Sequence, residues 1–238
     1  MIFNFFKKPK NDTIEDRGIN SDNQIVEIEE QVRLIKKEAT QLKKTNPNAA
    51  AIKIKEAIDL SIKNQIPPFL DTELRYASYL YNAGNKDAAF NEIARLMHYG
   101  TAIEPAKEKT STWYFDQCSC IKTRITLLSK EKTTQSWIQY IDDSFLHLYY
   151  EAMAYKTQAN ETHEILKAGS IERLEFVLKF EDEDDLKKVG WKGFKALKLE
   201  KYEQDLLREL KSWASNSDNL DINRLSSWFQ SILIKENR

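Results

Sequence analysis

The chain predicts an all-α protein built from antiparallel helical hairpins, and three observations carry that prediction. Apolar residues recur every three or four positions through much of its length, the period of one helix face. Glycine and proline are scarce, at 6 and 5 among 238 residues, fewer than a β protein of this size needs for its turns. The stretch Leu74–Met97, LRYASYLYNAGNKDAAFNEIARLM, reads as helix, tight turn, helix, with small residues where two helices must approach closely.

Taken from the start, Met1–Lys10 holds a short apolar cluster (Ile2, Phe3, Phe5, Phe6) followed by lysines. A secretory signal places charge before a longer apolar core, so this segment does not read as one. Asn11–Asn23 is polar and reads as a linker, so 1–23 is expected to be a flexible N-terminal segment. A helix follows in which Ile25, Ile28, Val32, Ile35, Ala39 and Leu42 form a heptad-like seam. Under three heptads long, it suits docking on the next helix. Thr45-Asn46-Pro47-Asn48 breaks it, and Ala49–Asn64 resumes with Ile54, Ala57, Ile58 and Ile62 as core candidates. Ile66-Pro67-Pro68 ends that helix, because proline excludes the helical conformation from the residue before it. Asp71 or Thr72 is expected to cap the next one.

In the central hairpin, Tyr76, Ala77, Leu80 and Ala83 form one apolar stripe. Gly84 supplies a left-handed turn, and Ala88, Ala89, Ile93, Leu96 and Met97 form the buried face of the partner helix. Ala77, Gly84, Ala89 and Ile93 fall at the spacing of the small and apolar positions of tetratricopeptide repeats, which this stretch resembles. Glu73 stands where that family often has Trp, and Leu96 where it usually has Ala. A preceding half-match, KEAIDLSIKNQIPP, is offset by 32 residues from Ala57 to Ala89 instead of the family's 34, so the resemblance covers about Ile54–Gly100. The Leu74–Leu96 pattern is also similar to one in uncharacterised bacterial proteins, which carry no function over. The resemblance implies a right-handed stack of hairpins whose first helices line a concave, protein-binding surface.

Pro105 can open the next helix, which Trp113, Tyr114, Cys118, Ile121, Ile125 and Leu128 carry to about Lys130. A partner helix runs from about Thr133 to Tyr155. Three hairpins result, at about 24–65, 70–99 and 105–156, giving a body over 24–156. Residues 157–238 are expected to form a C-terminal helical segment packed on it. There, Asn160–Lys167 reads as a short helix ended by Gly169, Ile171–Phe180 as a second, and Phe194–Trp213 as one helix. Asp221 is expected to cap the last helix.

A net charge of −1, from 36 basic and 37 acidic residues, lacks the basic surplus of a phosphate-backbone binder. Two cysteines cannot build a disulfide framework. Cys118 and Cys120, two apart on a helix, should diverge, one to the core and one away from it. His98, His147 and His163 stand in no ligand motif. The acidic run Glu181–Asp185 lacks the alternating ligands of a calcium loop and reads as a solvated loop ahead of a helix. No phosphate-binding loop or nucleophile-elbow motif is present.

The expectation is therefore a cytoplasmic, non-enzymatic protein-binding module without cofactor, metal or stable membrane insertion, a monomer or weak dimer. An inhibitor or immunity-type protein that caps one specific partner is one form of it. The partner-binding surface would comprise Asp71, Arg75, Ser78, Tyr81 and Asn82. Tyr76, Tyr79 and Tyr81 are too closely spaced to share one helix side. Two other readings stand beside it. One is an enzyme assembling His98, His147, Asp142 and Cys118 from distant helices. The other is a nucleic-acid regulator using Lys36–Lys37, Lys43–Lys44 and the Lys187–Lys201 stretch.

Overall fold

The computed structural model describes residues 18–66, 69–100 and 109–237. Among the described residues every regular element is helical and none is a β-strand. The α-helices are α1 (Gly18–Leu42), α2 (Pro47–Lys63), α3 (Leu70–Asn82), α4 (Lys86–Tyr99), α5 (Ser111–Glu131), α6 (Thr134–Glu161), α7 (Glu164–Leu178), α8 (Trp191–Ala196), α9 (Glu203–Ala214) and α10 (Arg224–Lys235). Short 3-10 segments cover Glu183–Val189, Glu200–Tyr202 and Ser217–Asn219.

The helices pair as α1 with α2, α3 with α4, and α5 with α6, and α3 also touches α2 and α5. Local chemistry fixes these boundaries. The Asn46 side chain accepts the backbone N–H of Ala49 at 3.1 Å, and Pro47 takes the first turn, where no donor is needed. Gly84 has φ +87° between α3 and α4, the left-handed conformation expected of it. Thr133 and Ser136 cap α6 reciprocally. α3 departs from the expected cap: it begins at Leu70 after Phe69, and Asp71 and Thr72 lie inside its first turn.

Among the described residues three apolar clusters tie the helices together. Ala39, Ala50, Ala51, Ile54 and Tyr79 join α1 and α2 to α3. Leu74, Ala77, Tyr81, Ala89, Ile93, Leu96, Cys120 and Leu127 join α3, α4 and α5. The largest is built on α6, where Trp137, Ile141, Phe145, Leu148 and Ala152 meet Phe194, Leu206, Leu210, Trp213, Phe229 and Leu233. α6 runs unbroken through residue 157, so the C-terminal segment wraps a helix that begins inside the hairpin body.

Several sequence expectations are corrected. α1 begins at Gly18, so residues 18–23 belong to a helix and not to a linker. Ile25 and Ile62 are exposed, as is Ala88. α7 continues through Gly169, where an added Cβ would meet nothing within 4 Å and no packing forces a stop. The stretch expected as one helix over Phe194–Trp213 is split, with Lys198 at φ +56° between α8 and α9. Asp221 closes a local turn on the Asn223 N–H at 2.9 Å, and Asn223 precedes α10. Met1–Lys10 and Pro105 lie outside the described residues.

Candidate functional site

The hairpins reverse the chain so that α1, α3 and α5 run in the same direction. At the ends of α3 and α5, the Tyr81 hydroxyl donates to the Glu131 carboxylate, and Lys130 Nζ donates to Asn82 Oδ1 at 3.4 Å. On the other side Ala39, late in α1, packs in one cluster with Tyr79, late in α3. These three helices enclose a groove of about 870 Å3. α3 contributes Leu70, Asp71, Leu74, Arg75 and Ser78. α5 contributes Thr112, Asp116, Ser119, Lys122 and Thr123, and Glu29 of α1 closes the third side. Phe69, 76% exposed at the head of α3, lines this groove and also a neighbouring cavity of about 290 Å3 that holds Val32, Arg33 and Lys36.

Of the five residues expected at a binding surface, three meet here. Arg75 and Asp71 pair at 3.0 Å one turn apart, both largely exposed. The Ser78 hydroxyl donates to the Leu74 carbonyl at 3.1 Å and keeps lone pairs for another donor. The other two are elsewhere. Tyr81 is 8% exposed, edge-on to Phe90 and under the ammonium groups of Lys86 and Lys130. Burial and the bond to Glu131 push its phenol up to about 12. Asn82 is exposed beside Lys130, outside the groove. Phe69, Glu29 and Lys122 were missed, since a single helix pattern does not tell which residues of three helices meet. The one signal for Phe69 was a bulky aromatic next to a helix start.

Position 73, where a repeat of the resembled kind often has Trp, holds a buried charge. Glu73 is 1% exposed and bonded by Arg95, which also donates to both carboxylate oxygens of Glu92, at 2.8 and 3.0 Å. The Arg95 guanidinium thus ties Glu73 of α3 to Glu92 of α4.

Of the four residues of the enzyme reading, the structure brings Cys118 and His147 close and places His98 and Asp142 elsewhere. His98 is exposed at the end of α4. Asp142 faces α10, where Gln230 donates to it at 3.2 Å. Cys118 Sγ lies 3.9 Å from the His147 carbonyl oxygen, and both cysteines are buried. That corrects the expected divergence: α5 is packed on α3 and α4 along one side and on α6 along the other, so both directions lead inward. Burial pushes both thiols up to about 12 and drives the His147 imidazole down to about 4. These directions oppose formation of a thiolate or an imidazolium.

The acidic run caps its own turn, with Asp182 accepting the N–H groups of Asp184 and Asp185. In the basic stretch, Lys187, Lys188 and Lys201 are paired with Asp184, Asp185 and Glu236 at 2.7–2.8 Å. Among the described residues no three His, Cys, Asp or Glu side chains gather as a metal site, and no helix is long and apolar enough to cross a membrane. No protein-family model, curated protein or solved structure matches the chain.

Proposed function

We propose that the chain is a non-enzymatic protein-binding module which takes a segment of a partner protein into the groove on α1, α3 and α5. The observation that supports this reading is the groove's position across the first helices of three successive hairpins. It combines an apolar floor at Leu70 and Leu74, an exposed ring at Phe69, and charged and hydroxyl side chains along its walls. An apolar patch rimmed by polar groups, with one aromatic anchor, is the usual anatomy of a protein interface. The groove's hydroxyls and charges stand on rigid helices, so they are positioned before the partner arrives, and less ordering opposes association.

The test fills the groove without disturbing the core. Ser119 is exposed on the α5 wall. Ser119→Trp should leave the melting temperature unchanged and abolish recovery of the partner that the unmodified chain captures from native lysate at low salt. Undiminished capture by the folded variant would contradict the reading.

A further inference from the structure

We infer that the partner segment is itself charge-segregated, acidic at one end and basic at the other, and docks in a single direction. This inference rests on the protein-binding reading above and concerns the same groove. Its ground is the order of charges along three helices that run the same way. In α3 and α5 a groove-lining acid precedes a groove-lining base, Asp71 before Arg75 and Asp116 before Lys122; in α1 the groove-lining Glu29 precedes Lys36, which lines the neighbouring cavity. The bond of Tyr81 to Glu131 and the cluster that holds both Ala39 and Tyr79 set the relative heights of the helices. At those heights the three acids fall on the side of the helix starts and the three bases lie further along. The groove therefore has an acidic end and a basic end.

At the basic end the counter-charges are shared: Asp71 faces both Arg75 and Lys36, and Lys122 lies near Glu151 of α6. Lys36 is half-buried, with its ammonium 5.9 Å from the centre of the Phe69 ring. Burial and the nearby Arg75 push its pKa down, and Asp71 opposes them. Asp71 is at the same time engaged by Arg75. An exposed pair one turn apart contributes little, so either member can change partners. Arg33, in the neighbouring cavity, is bonded by Glu30 at 2.6 Å. An incoming carboxylate at Lys36 and Arg75 would relieve two like charges held close together, and an incoming ammonium would find Glu29 and Asp71 at the other end. A segment entering the wrong way round would set like charges against each other at both ends, which is a strong source of selectivity.

Carbodiimide cross-linking, which joins amines to carboxylates directly, tests this on the full chain with its captured partner. Peptides identified by mass spectrometry should join Lys36 and Lys122 to Asp or Glu in one part of a partner segment. They should join Glu29, Asp71 or Asp116 to Lys in the adjoining part of the same segment. The double variant Lys36→Glu, Lys122→Glu should weaken capture at least tenfold while its circular dichroism stays unchanged. Linked acids and lysines that interleave along the segment would overturn the inference and leave the groove reading intact. Links confined to α7–α10 would overturn the inference and remove the groove reading with it, and capture of no protein would remove the reading on which the inference rests. Links to Met1–Lys10, or to an isotopically labelled second copy of the chain, would replace the partner by that occupant and overturn the inference.

Discussion

Arg124 on α5 grips Asp143 on α6 through two bonds of 2.6 Å, Nε to one carboxylate oxygen and Nη2 to the other. Asp143 is 1% exposed, and Gln139 donates to it at 2.8 Å. This fork locks the register of the longest hairpin, whose α5 forms one wall of the groove. Asp143→Ala should lower stability by about 3 kcal/mol, because it strands a guanidinium between two helices. Replacing both residues with apolar ones of similar volume should recover most of that loss. Urea unfolding of the three proteins checks this, and equal losses for the single and double variants would show that shape and not charge pairing governs the site.

Two glycines should respond in opposite ways. Gly193 lies against α6, where an added Cβ would stand 2.7 Å from Ile141 and 2.9 Å from Tyr140. Gly193→Ala should cost about 1–3 kcal/mol through overpacking. Gly169 lies within α7 with open space around it, so Gly169→Ala should stabilise by about 0.5–1 kcal/mol. Thermal melts compare the two. Destabilisation by Gly169→Ala would mean that α7 is broken there.

The central hairpin turn is a third test. Gly84 has open space around it, so only its φ of +87° resists a side chain, and Gly84→Val should cost about 1 kcal/mol or more. Ala89 is fully buried against α3, and Ala89→Leu should cost about 1–3 kcal/mol. Unchanged melting of both would break the assigned register.

His147 makes stability depend on pH. Its imidazole titrates near 4 in the folded chain, well below its ordinary 6.5, because burial and then Lys122 disfavour the cation. Glu151 stands 3.7 Å away, but burial raises its own carboxyl, which weakens its help. The unfolded chain therefore binds the proton more readily. The stability contributed by neutral His147 is complete above about pH 6.5 and is lost as pH falls towards 4, by up to about 3 kcal/mol. His147→Gln should flatten that decline in urea melts taken across this range. An unchanged slope would assign the decline to other groups.

Much of the fold was legible because the helices of the first three hairpins carry their own periodicity and punctuation, such as Asn46-Pro47 and Gly84. The misread elements lacked such signals. Lys198 takes a left-handed conformation that nothing in its side chain announces, and Gly169 suggested a break that α7 does not make. Asp71, Arg75 and Ser78 could be placed on one wall from helix period alone. Phe69, Glu29 and Lys122 join them only through the stacking of three helices, which one helix pattern does not encode. Tyr81 shares α3 with Arg75 but points to the end of α5. Tyr81→Phe should therefore cost about 1 kcal/mol of stability, the worth of its hydroxyl bond, and leave partner capture untouched.

Hydrogen exchange of the chain, free and bound to its captured partner, tests the role of the groove most directly. Slowed exchange on binding should fall on Leu70–Ser78 of α3 and Thr112–Thr123 of α5, with α9 and α10 unaffected. Slowing confined to α7–α10, with α3 and α5 exchanging as in the free chain, would place the interface on the other side of α6 and contradict the proposal.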